Sequence, residues 1–72
     1  MVSPNASTLS SSIVATLKGR IIAWRYPPEH RLTEDGLCRE FGVSRSPVRD
    51  AFLRLLAEGV LELLPSGSYR VI

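Results

Sequence analysis

Two arginines four positions apart, Arg45 and Arg49, stand in the stretch "FGVSRSPVRDAF", between a glycine-bounded turn and a run of large apolar residues. A guanidinium is a rigid planar fork of donors, suited to the two phosphate oxygens or to the O6 and N7 acceptors of guanine. Spaced by one helical turn, two such forks on one face can meet a polyanion together. Taken alone, the pair favours a solvated helix face with ion pairs to Asp50 or Glu40 over a polyanion contact. The choice depends on the elements that position it.

Ser44 stands at the start of this helix, where a hydroxyl accepts from free helix amides, and Pro47 falls within the first turn, where its missing amide costs nothing. The stripe Val48, Ala51, Phe52, Leu55 and Leu56 sets the buried face, and Gly59 ends the helix. Only "GV" separates it from a shorter helix, about Thr33 to Phe41. That helix is capped by Thr33, carries Glu34 and Asp35 in its first turn, turns Leu37, Cys38 and Phe41 inward, and stops at Gly42. Upstream, Ile13, Val14, Leu17, Ile21 and Ile22 mark a first amphipathic helix from about Ser10 to Arg25, closed by "YPP". Downstream, "VLELLPSGSYRVI" reads as two short strands joined by a Pro-Ser-Gly-Ser turn. "HRL" is extended and too short for more than one rung of a sheet. Residues 1–12 hold five serines, a threonine, an asparagine and a proline, so residues 1–9 are expected to form a flexible arm and residues 10–72 one domain.

Three helices, a tight turn between the second and third, and a hairpin make a mainly α fold with a small β-hairpin, a winged helix-turn-helix with a two-stranded wing. That order puts the first turn of the third helix against the major groove, so Arg45 and Arg49 are placed to read or clamp DNA. Ser44 and Ser46 add short hydroxyl donors beside them.

The segment "RLTEDGLCREFGVSRSPVRDAFLRLLAEGVLELLP", residues 31–65, resembles the DNA-binding domain of GntR-family bacterial transcription regulators, and more narrowly its FadR/FCD-like branch. The resemblance implies that Arg45 and Arg49 contact DNA, that Ser44, Ser46 and Pro47 line the same groove, and that the wing tip enters the neighbouring minor groove. There Gly67 stands where many relatives have arginine and Ser68 where they have glycine, leaving Ser66, Gly67, Ser68 and Arg70 as the wing's contacts. The loop before "RL" is usually Pro-Gly, and Glu29 replaces that glycine, which predicts a turn of different shape. Family members continue into an effector-binding, dimerising domain that this chain lacks, so the resemblance implies an excised DNA-binding domain. Its full-length form would be a metabolite-responsive repressor, a homodimer on an inverted-repeat operator, whereas the isolated domain would be a monomer.

Composition agrees with such a domain. The chain has 72 residues, 44% hydrophobic and 22% charged, with a net charge of +2. A domain this short buries only roughly 60% of the surface its unfolded chain exposes. Eight of its nine basic residues are arginine, and they are spread over both halves, so a basic surface must be made by folding. One cysteine and one histidine supply neither a disulfide nor a zinc site, and no cofactor is expected. The absence of a ~20-residue apolar run predicts no membrane span and a cytoplasmic protein. An enzyme is not expected, since there is no glycine-rich phosphate loop, no Ser-His-Asp set around the single histidine and no pair of carboxylates in an obvious apolar pocket. The competing reading is a winged-helix module that binds protein rather than DNA, because fold does not fix function. Paired arginines at the start of the third helix speak against it.

Overall fold

The computed structural model describes residues 6–72, with side chains from residue 8. Residues 1–5, most of the expected arm, lie outside the described residues. The order is α1 (Ala6–Ile22), β1 (Arg31–Leu32), α2 (Glu34–Phe41), α3 (Arg45–Ala57), β2 (Leu61–Leu63) and β3 (Tyr69–Val71).

Helix α1 starts four residues before the expected position, taking residues 6–9 from the arm. A serine-rich start argues against a helix locally, but tertiary contact supports this one: the buried Ser10 hydroxyl donates to the Pro47 carbonyl at 3.1 Å. Ile13 and Leu17 are buried while Val14 and Ile21 pack at the edge; Ile22, expected on the same stripe, is 78% exposed. The helix ends in a Schellman arrangement. Arg25 N–H bonds the Arg20 carbonyl at 2.8 Å and Trp24 N–H the Ile21 carbonyl at 3.1 Å, with Trp24 at φ 62 where glycine is usual.

Thr33 caps α2 as expected, its hydroxyl accepting from the Gly36 amide, and Gly42 closes it in the left-handed conformation at φ 66. The α2–α3 turn is therefore as tight as its sequence. Helix α3 buries Val48, Ala51, Phe52 and Leu55 against α1 and the sheet. Phe52 stacks on Tyr69 of β3, ring centroids 3.9 Å apart, tying α3 to the wing.

The wing is not the expected two-stranded hairpin alone. β1 pairs antiparallel with β3, giving a three-stranded sheet in the order β1-β3-β2. The ladder continues past β1, with Glu29 N–H bonding the Val71 carbonyl at 2.8 Å and Val71 N–H the His30 carbonyl at 2.9 Å. The Pro27 carbonyl accepts from His30 N–H at 3.0 Å, closing a turn with Pro28 second and Glu29 third at φ 73. Such a turn favours glycine at its third position. Glu29 thus adopts the backbone that glycine would take, and the chain holds the turn despite the substitution.

Candidate nucleic-acid interface

The N-termini of α2 and α3 converge beside the wing tip around an open cleft of about 490 Å³. Thr33, Glu34 and Asp35 line one side, Arg45 another, and residues 66–68 of the wing the third. Two positive helix ends meeting here would favour anions. The chain itself supplies two carboxylates and then two arginines.

Arg45 and Arg49 project from the first turns of α3, side chains 60% and 59% exposed. Neither meets Asp50 or Glu40. Asp50 pairs with Arg54 at 3.1 Å and Glu40 pairs with Arg20. The partners are Glu34 and Asp35. Arg49 grips Glu34 in bidentate fashion, Nε donating to Oε2 at 3.1 Å and Nη2 to Oε1 at 3.0 Å. Arg45 pairs with Asp35 through Nη2, and its Nη1 lies 3.7 Å from Glu34 Oε1. The Glu34 carboxyl is held below the usual carboxylate range, first by the Arg49 hydrogen bond, against a smaller opposing effect of burial. The same bond raises the Arg49 guanidinium.

The other expected contacts divide. Ser44 occupies the N-cap position with extended backbone (φ −74, ψ 173), but its side chain makes no cap hydrogen bond, contrary to expectation. With Ser46 it is exposed at the mouth of the helix. Pro47 does not line a groove: it is fully buried, and its place is in the core beneath α1, where its carbonyl meets Ser10. At the wing tip Gly67 turns at φ 91, and the Ser66 and Ser68 hydroxyls lie 2.8 Å from each other across it. Arg70 sits farther back, paired to Glu62 across the β2–β3 ladder at register partners. The structure therefore gathers Arg45, Ser66, Gly67 and Ser68 around one cleft and ties Arg49 to it through Glu34, leaves Ser44 and Ser46 exposed at the start of α3 and Arg70 on the wing's side, and buries Pro47.

Two residues of this rim escaped the sequence reading as partners. Glu34 and Asp35 had only a helix-dipole role there, although an acidic pair opening α2 one tight turn away from an arginine pair is the signal that marks them. Among the described residues, no group of three or more His, Cys, Asp or Glu side chains is placed to hold a metal, and no helix is long and apolar enough to cross a membrane.

Residues 9–71 match the family model described as "Bacterial regulatory proteins, gntR family". The chain is 31% identical over 70 residues, 96% of its length, to an uncharacterized HTH-type transcriptional regulator in an unstable DNA locus of Streptomyces ambofaciens, and covers 30% of that protein. It is 38% identical over 40 residues, 56% of its length, to an uncharacterized HTH-type transcriptional regulator of Agrobacterium vitis, and covers 23% of it. The chain thus spans about a third or less of the curated relatives it matches. Among solved structures, E. coli McbR/YncC superposes with a TM-score of 0.82 at 31% identity, over 99% of this chain and 31% of that one. AraR(DBD), in complex with operator ORR3, superposes with a TM-score of 0.83 at 26% identity, over 89% of this chain and 78% of that one. With α2, α3, the sheet and all but the first three residues of α1 inside the matched span, the chain belongs to the GntR family of bacterial regulatory proteins and has the winged-helix fold of such a regulator's DNA-binding domain.

Proposed function

We propose that this domain binds double-stranded DNA sequence-specifically, α3 entering the major groove with Arg45 and Arg49 at base edges or phosphates and the wing tip beside the adjacent backbone. The observation that carries the reading is the shared rim, on which Arg45 lines one cleft with residues 66–68 and Arg49, equally exposed one turn on, grips Glu34 of the same cleft. The domain of AraR that it resembles is bound to an operator. Ser44, Ser46, Ser66 and Ser68 are hydroxyl donors suited to phosphate, and the Gly67 backbone can approach it closely. Arg70, paired with Glu62 through one terminal nitrogen, keeps its remaining donors for the backbone alongside the wing.

In its regulator the domain would act as one of two copies on an inverted repeat, since matched half-sites mirror a two-fold dimer. The FadR/FCD-like placement, a repressing and metabolite-responsive parent, and a cytoplasmic location belong to the same proposal; the first rests on "FGVSRSPVR" and its register with "EGV".

The test is amide chemical-shift perturbation on titrating the domain with a random-sequence duplex at low and then moderate salt. Shifts concentrated at residues 44–49 and 65–70 that fade as salt rises are the expected result, because phosphate contacts release counterions. Silence at those amides, with responses elsewhere or none, would replace DNA by a protein partner.

A further inference from the structure

We infer that Glu34 is a positioning residue that sets sequence specificity by presenting Arg49 to the base edge in one orientation. The inference rests on the DNA-binding reading above.

A guanidinium offers two parallel pairs of donors: a side edge made by Nε with one terminal nitrogen, and an end edge made by the two terminal nitrogens. The Glu34 carboxylate occupies the side edge, taking Nε and Nη2 together. The end edge is left as the free fork of a side chain that remains 59% exposed. A guanine accepts two parallel hydrogen bonds at O6 and N7, and the end edge matches them. Carboxylate, guanidinium and guanine would then lie in one plane, each bidentate to the next.

Glu34 is itself held for this task. Its side chain is only 18% exposed, against 58% for Asp35, and it sits in the first turn of α2, fixed by the Thr33 cap. An arginine free at the end of four rotatable bonds must lose that freedom on reading a base. One clamped beforehand has already lost it, and the clamp disfavours poses in which Arg49 merely follows a phosphate. Asp35 differs, since it meets only a terminal nitrogen of Arg45 and leaves that side chain free to swing.

The two carboxylates make the proposal separable from simple charge. Glu34→Gln and Asp35→Asn each remove one negative charge from the rim, so each should raise non-specific affinity at low salt, by about two- to fivefold. Only Glu34→Gln should also lower the ratio of specific to non-specific binding, by about tenfold, the lower range of one bidentate base contact.

The experiment selects preferred duplexes from a random-sequence pool with the unaltered chain, then measures binding of the best duplex and of a scrambled one for the unaltered chain, Glu34→Gln, Asp35→Asn, Arg49→Lys and the double variant Glu34→Gln/Arg49→Lys. Lysine retains the charge of Arg49 and cannot present a fork. The ratio should fall alike in Glu34→Gln and Arg49→Lys, fall no further in the double variant, and hold in Asp35→Asn. An unchanged ratio in Glu34→Gln, an equal loss in Asp35→Asn, or additive losses in the double variant would overturn the inference. Should Glu34→Gln fail to fold, an Arg49→Lys domain that keeps the full ratio overturns it by itself. If the unaltered chain enriches no sequence, the DNA reading fails first and the role of Glu34 with it.

Discussion

Arg45 and Arg49 look alike in sequence, yet their surroundings give them different freedom. Arg49 is held at two points by Glu34, and Arg45 at one terminal nitrogen by an exposed aspartate. If Arg45 reads a guanine, Arg45→Ala should relax preference at that base pair by about 1–3 kcal/mol while leaving other positions selective. Equal weakening on every duplex, with a salt slope smaller by about one, would instead assign Arg45 to phosphate. Proton linkage offers a second test at this scale. The Glu34 carboxyl titrates below its unfolded value, so the stability of its pairing is present above the unfolded pKa and disappears as pH falls through the lower folded one. Tyr69 is shifted the other way, burial raising its phenol above the ordinary tyrosine value. Its folded form holds the proton longer, so stability falls as pH rises past that ordinary value. Melting temperature followed against pH should therefore decline at both ends, and Tyr69→Phe should remove the tyrosine's part of the alkaline decline only. The arginines were legible from type and spacing. Their partners were not, because Glu34 lies fifteen residues from Arg49 and their meeting depends on how α2 and α3 cross.

The elements were legible where a local rule governs them and illegible where tertiary contact does. Thr33 and Gly42 bound α2 as capping rules require, and the apolar spacing of α3 gave its buried face. Strand β1 is two residues long, too short for any alternation, and exists because β3 offers it a partner. The start of α1 was hidden by serines whose helix depends on a contact 37 residues away. Glu29 links both cases. At φ 73 it occupies a region costly for any side chain, held there by the turn from Pro27 and the bond to Val71. Glu29→Gly should relieve strain of about 1–3 kcal/mol, partly offset by roughly 0.5–1 kcal/mol for the freer unfolded chain. A net gain of about 1 kcal/mol, read as a higher urea midpoint at constant slope, is the expected outcome. A loss would mean that the Glu29 side chain contributes more than its backbone costs.

Across the whole molecule, the rim is only as well placed as the core beneath it, and the core of so short a chain has little to spare. Phe52 is fully buried and stacked on Tyr69, so one ring joins the helix that carries the arginines to the strand that carries the wing. Truncating a buried phenylalanine costs about 3–5 kcal/mol, against a total stability of about 5–15 kcal/mol for ordinary domains and less at this size. Phe52→Ala should therefore lose its cooperative unfolding transition and all DNA binding together. Leu53, the next residue, is 55% exposed, and Leu53→Ala should shift stability by no more than about 0.5 kcal/mol, as surface substitutions do. The contrast between neighbours tests the rotation of α3 about its axis: the rotation that buries Phe52 is the one that leaves Arg45 and Arg49 facing out. A stable Phe52→Ala beside an unfolded Leu53→Ala would turn the helix by about 100° and carry both arginines off the rim.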